Sequence, residues 1–85
     1  NDISAINRQL TEKLPFIKDI TDNRKQVLLN MAFNLGIYGL LKFRRMLNAM
    51  DCADYVEAGQ QMLDSRWAEQ VGDRAVELAH MMIEG

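Results

Sequence analysis

Apolar residues recur at intervals of three and four positions along most of the chain, which is the spacing of one face of an α-helix. One proline and four interior glycines leave long stretches without residues that break helices. No segment shows the alternation of a strand, and no internal repeat is present. The pattern predicts an all-α fold, a compact helical lobe in which one central buried helix is wrapped by shorter helices.

The central helix is predicted to open at Thr21 and Asp22. Between residues 27 and 35, apolar side chains cover nearly the whole circumference of a helix, so we expect this segment to be buried on all sides. Gly36 is expected to end it, since glycine enters the left-handed conformation of a helix stop without steric cost.

The boundaries of the other helices are predicted from helix-breaking and helix-capping residues. Pro15 fits the first turn of a short helix before the central one. After a turn at residues 37–39, one helical run is predicted over residues 40–50, and Asp51 is expected to cap the next helix. Ser65 to Glu69 are predicted to form a short turn of helix, and Gly72 separates it from the last helix.

The length and composition of the chain argue against some classes of function. The chain has 85 residues, enough for one domain with a modest core, and its 48% hydrophobic and 26% charged residues are typical of a globular protein. Net charge is −2 and the basic residues are spread along the chain, which argues against nucleic acid as a partner. No apolar run is long enough to cross a bilayer.

Few residues offer chemistry of their own. Cys52 and His80 are each the single residue of their type, so neither has a partner for a metal site, and no cofactor is predicted. The six methionines lie in apolar helical runs and are interpreted as core. Lys42, Arg44 and Arg45 are interpreted as a solvated face. The chain starts without Met, and we expect it to be cut from a longer protein.

Four elements at fixed distances are more specific. They are residues 30–36 (Asn-Met-Ala-Phe-Asn-Leu-Gly), residues 40–43 (Leu-Leu-Lys-Phe), residues 65–67 (Ser-Arg-Trp) and residues 73–75 (Asp-Arg-Ala). In these elements the sequence resembles the phage-type lysozymes, the family 24 glycoside hydrolases that cut peptidoglycan. The resemblance extends without an obvious gap from about Pro15 to Gly85.

The resemblance implies that the chain is the helical C-terminal lobe of such an enzyme. Residues 1–21 would form connecting helices, and residues 22–85 the core of the lobe. The catalytic Glu, Asp and Thr of the family precede this lobe, and neither Thr11 nor Thr21 has the corresponding carboxylates upstream. We therefore predict no catalytic residue in this chain and expect it to be inactive alone.

The resemblance also assigns roles to individual positions. Arg74 corresponds to an arginine that reaches the catalytic glutamate, and Asn30 to a buried amide beside it; an ion pair within the lobe is the alternative for Arg74. Asn34, Phe33 and Gln61 match positions that face the sugar, although core packing or plain exposure is an alternative for Phe33 and Gln61. Trp67 is assigned to the core, and the glutamates to solvated helix charges.

The leading hypothesis is the C-terminal lobe of a bacteriolytic endolysin that hydrolyses β-1,4 links between N-acetylmuramic acid and N-acetylglucosamine. The alternative is a non-catalytic helical module that binds glycan or protein. The implied partners are the peptidoglycan glycan strand and the missing N-terminal lobe, or a second copy through exposed apolar surface. By resemblance, the intact protein would act from the host cytoplasm on the periplasm and cell wall during phage lysis.

Overall fold

Helices form almost the whole of the described chain. The computed structural model describes residues 2–85, and the side chains of residues 4–85. The elements are α1 (Asp2–Lys13), a 3₁₀ helix (Pro15–Asp19), α2 (Asp22–Leu41), α3 (Arg44–Asp51), α4 (Tyr55–Leu63), α5 (Arg66–Val71) and α6 (Asp73–Glu84). Residues 2–85 contain no strand. The prediction of an all-α fold is confirmed.

The centre of the core is the middle of α2. Val27, Leu28, Met31 and Ala32 are almost completely buried there, and α1 and α6 pack against this helix. Thr21 caps its start as predicted, because the side-chain hydroxyl accepts a hydrogen bond from the Arg24 N–H at 3.2 Å. The prediction of burial on all sides is wrong at the far end, where Phe33 is 53% exposed because no described helix covers that face.

Gly36 ends the first helical segment of α2, as predicted, and a second segment follows it across a kink. Its backbone lies at φ 78° and ψ 162°, a conformation that L side chains rarely adopt. The chain then resumes the helix as far as Leu41, so the predicted turn at residues 37–39 is wrong. The prediction of one continuous helix over residues 40–50 is also wrong. The N–H of Phe43 donates to the Leu40 carbonyl at 3.0 Å in the turn that ends α2, and α3 begins after it.

The start of α4 differs from the prediction by three residues. Asp51 belongs to the end of α3, and Asp54 is the N-cap of α4, accepting from the Glu57 N–H at 3.2 Å. Ala53 adopts a left-handed conformation at φ 60° and turns the chain between the two helices. The unpaired backbone N–H groups at the start of α4 are therefore capped by Asp54 and not by Asp51.

The short helix α5 is bounded by the residues that the sequence indicates. The Ser65 hydroxyl accepts from the Ala68 N–H at 3.1 Å and donates to the Met62 carbonyl at 2.6 Å. Gly72 follows with φ 61° and ψ −127° and separates α5 from α6. The predicted start at Ser65 and the break at Gly72 are confirmed, whereas the helix extends to Val71, two residues beyond the predicted end at Glu69.

Close packing of α4 on α6 completes the lobe. An added Cβ at Gly59 would lie 2.7 Å from Cγ1 of Ile83 and 3.2 Å from the Ala79 carbonyl oxygen. The absence of a side chain at this position lets the two helices approach each other.

Methionine fills much of the core, as predicted. The fully or nearly buried members are Met31, Met46, Met50, Met62 and Met82. Trp67 is 4% exposed and packs its ring edge-to-face with Phe43, which confirms its assignment to the core. Within the part of the chain that the structure covers, no helix combines the length and apolar character needed to cross a membrane.

Arg24 ties three helices together. From the first turn of α2, its Nε donates to the Met82 carbonyl at 2.7 Å and its Nη2 to the Ile83 carbonyl at 3.1 Å. The guanidinium carbon lies 3.4 Å from the centroid of the Tyr55 ring on α4. A positive charge at the C-terminal end of α6 is also favourable to the helix dipole.

We predict that Arg24→Lys lowers the free energy of unfolding by about 1 to 2 kcal/mol, because an ammonium group cannot reproduce the two fixed donors and the stacked plane. The free energy of unfolding is measured by urea denaturation, followed by circular dichroism. Arg8→Lys, on an exposed position of α1, is the matched control and should change stability by less than about 0.5 kcal/mol. Equal stability of the two variants would contradict the role of Arg24.

Candidate functional site

Two of the residues singled out from the sequence meet at the junction of α2 and α6. Nη2 of Arg74 donates to Oδ1 of Asn30 at 2.9 Å, across 44 positions of sequence. The amide of Asn30 is oriented by a second bond, in which Nδ2 donates to the Gln26 carbonyl at 2.8 Å. Since the nitrogen is engaged by its own helix, the oxygen is left to accept from the guanidinium.

Arg74 reaches this position because of the turn before it. Gly72 separates α5 from α6, and Arg74 lies in the first turn of α6. Ala75, next to it, is 1% exposed and anchors that turn in the core. The backbone of Arg74 is therefore held in place while its side chain extends to the surface.

A second contact of Arg74 is the ion pair within the lobe that the sequence analysis gave as the alternative, although it did not name the partner. Nη1 lies 3.0 Å from Oε1 of Glu77, one turn further along α6. The two side chains are 50% and 65% exposed, so water screens this ion pair strongly. Glu77 was interpreted as a solvated helix charge; the i, i+3 spacing to an arginine was the signal for the pair.

The guanidinium of Arg74 has N–H donors left for a ligand or partner. Arginine carries five N–H donors, and the two recorded bonds use one at each terminal nitrogen. Half of the side chain is open to solvent. Arg74 is thus a permanently charged, oriented group on the surface, which suits recognition of a carboxylate from another protein segment.

Asn30 is only partly buried, whereas the resemblance implies a buried amide at its position. Phe33 and Asn34 follow it on α2 and are both exposed. An exposed aromatic ring beside an amide is a combination that can contact a sugar, the ring through its face and the amide through the hydroxyl groups. Their exposure places both side chains within reach of a ligand.

Gln61 lies on α4 and is half-buried. Its Nε2 donates to Oε2 of Glu57 at 2.6 Å, which leaves the amide oxygen as acceptor. Gln61 also lines an open groove bordered by α3 and α5. Among the described side chains, no hydrogen bond joins Gln61 or Asn34 to the pair formed by Asn30 and Arg74, so the structure directly connects only that pair.

The described residues form no cluster of metal ligands. No group of three or more His, Cys, Asp or Glu side chains in that part of the chain could hold an ion. These side chains can bind a ligand: together they offer one charged donor, three amides and one aromatic ring.

Two curated proteins resemble the chain in sequence. Over 71 residues, 84% of the chain, it is 34% identical to the pre-baseplate central spike protein Gp5 of Enterobacteria phage T4. Over 58 residues, 68% of the chain, it is 29% identical to probable T4-type lysozyme 1 of Dictyostelium discoideum. The matched regions span 12% and 34% of the lengths of these relatives.

Other comparisons gave no match. No family profile matches the chain. No solved structure matches it either.

We predict that the Arg74–Glu77 pair contributes little to stability. A double-mutant cycle with Arg74→Gln and Glu77→Gln should give a coupling energy of about 0.3 to 0.5 kcal/mol, because both side chains are half-exposed. Replacing Glu77→Gln by Glu69→Gln in the cycle provides a control that should show no coupling. A coupling of several kcal/mol would mean that Arg74 is locked into the lobe and unavailable to a partner.

Proposed function

Because the chain is related to the phage-type lysozymes, we propose that it is the C-terminal helical lobe of an enzyme of this kind. The complete enzyme would hydrolyse β-1,4 links between N-acetylmuramic acid and N-acetylglucosamine in peptidoglycan. The observation that carries the proposal is the bond between Arg74 and Asn30, two residues that the resemblance assigns to the support of the active site.

The division of the chain is part of the same proposal. Residues 22–85 would form the lobe, and residues 1–21 would connect it to the lobe that carries the catalytic groups. The packing of α1 against α2 supports this arrangement, since a connecting helix must be anchored on the lobe that it leads into.

The proposed reaction explains why Arg74 should be held as it is. Glycoside hydrolysis requires a carboxylic acid that protonates the leaving oxygen and a second group that acts on the other face of the sugar. A guanidinium fixed by Asn30 can donate to the carboxyl group and hold its orientation. In this proposal Arg74 and Asn30 are positioning residues.

Asn34, Phe33 and Gln61 would bind the glycan strand. Their side chains are exposed or half-buried. The amide of Asn34 and the amide oxygen of Gln61 can exchange hydrogen bonds with sugar hydroxyls. Binding by such groups positions the substrate without supplying a reacting atom, which fits a lobe that forms one wall of a cleft.

A non-catalytic module that binds glycan or protein is the second candidate. It is favoured by the same exposed side chains, because a surface that binds sugar does not need a catalytic lobe. In that case Arg74 would bind a ligand carboxylate directly.

The experiment is a titration of the isotope-labelled 85-residue chain with chitotetraose, followed by NMR. We expect millimolar binding, with the largest shifts at the side-chain amides of Asn34 and Gln61, and a loss of at least threefold in affinity for Asn34→Ala. Asn48→Ala, an exposed amide on α3, is the control and should bind as the original does. The same loss in both variants would contradict the sugar-binding role.

Activity is tested in parallel by turbidity of bacterial cell walls. The chain alone should not clear them, since no pair of carboxyl groups is assigned to the reaction here. Clearing by the purified chain would contradict the proposal that the catalytic groups lie outside it.

A further inference from the structure

Large apolar side chains are exposed on the outer sides of α4 and α6. Val56 and Leu63 of α4 are 54% and 44% exposed, and Val76 of α6 is 58% exposed. Ile83, further along α6, is half-buried. Residues seven positions apart are separated by about two turns of a helix and lie on the same side of it. Each helix therefore carries one pair of apolar side chains along one side.

Both pairs lie beside the line of contact between the two helices. Gly59 marks this contact on α4, because an added Cβ there would lie 2.7 Å from Cγ1 of Ile83. At about 100° of rotation per residue, Val56 and Leu63 lie within about 60° of Gly59 around the axis of α4. By the same rotation, Val76 lies on the side of α6 that Ile83 occupies.

The helices α4 and α6 run in opposite directions. Tyr55, the first residue of α4, stacks on Arg24, which binds carbonyl groups at the end of α6. The other end of α4 leads through the six residues of α5 to the start of α6. The two apolar pairs are therefore side by side and form one surface, called here the α4–α6 strip, which consists of Val56, Leu63, Val76 and Ile83.

Carboxylates border the strip. Each of its four residues is followed directly by an acidic residue; these are Glu57, Asp64, Glu77 and Glu84. Of these four, only Glu77 lies within 4 Å of a basic group among the described side chains. Residues 51–85 contain eight carboxylates and two arginines, whereas residues 1–50 contain four carboxylates and eight basic residues. Negative charge is thus concentrated in the part of the chain that carries the strip.

The strip faces away from the residues assigned to the proposed function. Arg74 precedes Val76 by two positions, and Gln61 precedes Leu63 by two. Such neighbours are about 160° apart around a helix, so Arg74 and Gln61 lie on nearly opposite sides of α6 and α4 from the strip. A partner bound to the strip would leave both residues accessible.

We propose that the α4–α6 strip binds a cationic amphipathic helix of a protein partner. Its apolar face would lie along the seam between α4 and α6, and its Lys or Arg side chains would contact the bordering carboxylates. Exposed apolar surface with a polar border is typical of a protein interface, and an amphipathic helix fits the groove between two packed helices.

The charge of the border selects the basic partner. Two copies of the chain that met through this strip would bring the same carboxylates together, which is unfavourable. An anionic membrane or a nucleic acid would be repelled for the same reason. A basic helix is the partner for which both the apolar strip and its acidic border are complementary.

The test is an NMR titration of the isotope-labelled 85-residue chain at 50 mM salt. The probe is a capped 18-residue peptide of Lys and Leu, with all its leucines on one helical face. We expect saturable binding, with the largest shifts at the amides of residues 56–63 and 76–83, and at least fivefold weaker binding at 300 mM salt. A peptide of the same composition with its leucines scattered around the helix should bind at least tenfold more weakly.

Substitutions on the strip locate the binding surface. Leu63→Gln and Val76→Gln, made singly, should each weaken binding at least fivefold. Tyr38→Gln is the matched control, because Tyr38 is 72% exposed on α2, and it should change binding less than twofold. All three side chains are exposed, so circular dichroism should show an unchanged fold. Equal effects of the three variants, or equal binding of the scattered peptide, would overturn the proposal.

Removal of charge tests the acidic border. Asp64→Asn combined with Glu84→Gln should weaken binding at least threefold. Glu12→Gln combined with Asp19→Asn changes the net charge equally at exposed positions far along the chain, and should weaken binding less than 1.5-fold. Equal losses in the two double variants would mean that the peptide responds only to net charge and would overturn the proposal.

Two further outcomes would also overturn it. One is binding to phosphatidylcholine vesicles but not to the peptide, lost in Leu63→Gln, which would assign the strip to a lipid surface. The other is concentration-dependent dimerisation in sedimentation that Val76→Gln abolishes, which would assign it to a second copy of the chain.

Discussion

The structure depends on the burial of residues 27–32 of α2. Val27, Leu28 and Met31 are completely buried, and removing a side chain of this size from water contributes about 1.5 to 3 kcal/mol. A domain of 85 residues has few such contributions, so the other helices must be placed to cover this segment. Arg24 at one end of α2 reinforces the arrangement by binding the last carbonyls of α6.

The candidate site is positioned by the same segment. Asn30 lies directly before Met31, and Arg74 directly before Ala75, so each polar side chain is adjacent in sequence to a residue fixed in the core. Their hydrogen bond joins α2 to α6 at the surface of the packed layer. The site is precise because the backbone that carries it cannot shift without opening the core.

The sequence was informative wherever one residue determines the local conformation. Thr21, Ser65 and Gly72 each act through their own side chain or backbone freedom, and each boundary was predicted correctly. Asp51 and Asp54 both satisfy the rule for a cap, and only the left-handed turn at Ala53 decides between them. The open groove that Gln61 lines could not be predicted, because Phe43, Arg66 and Trp67 meet there only after α3 and α5 have packed.

The most direct test of this account is native-state hydrogen exchange of the 85-residue chain, resolved by residue. The amides of residues 27–32 should be the slowest, and their free energy of exchange should equal the free energy of global unfolding measured with urea. The amides of residues 33–38 around the Gly36 kink should exchange through smaller openings. Exchange of residues 27–32 as fast as that of the kink would contradict the claim that burial of α2 organises the lobe.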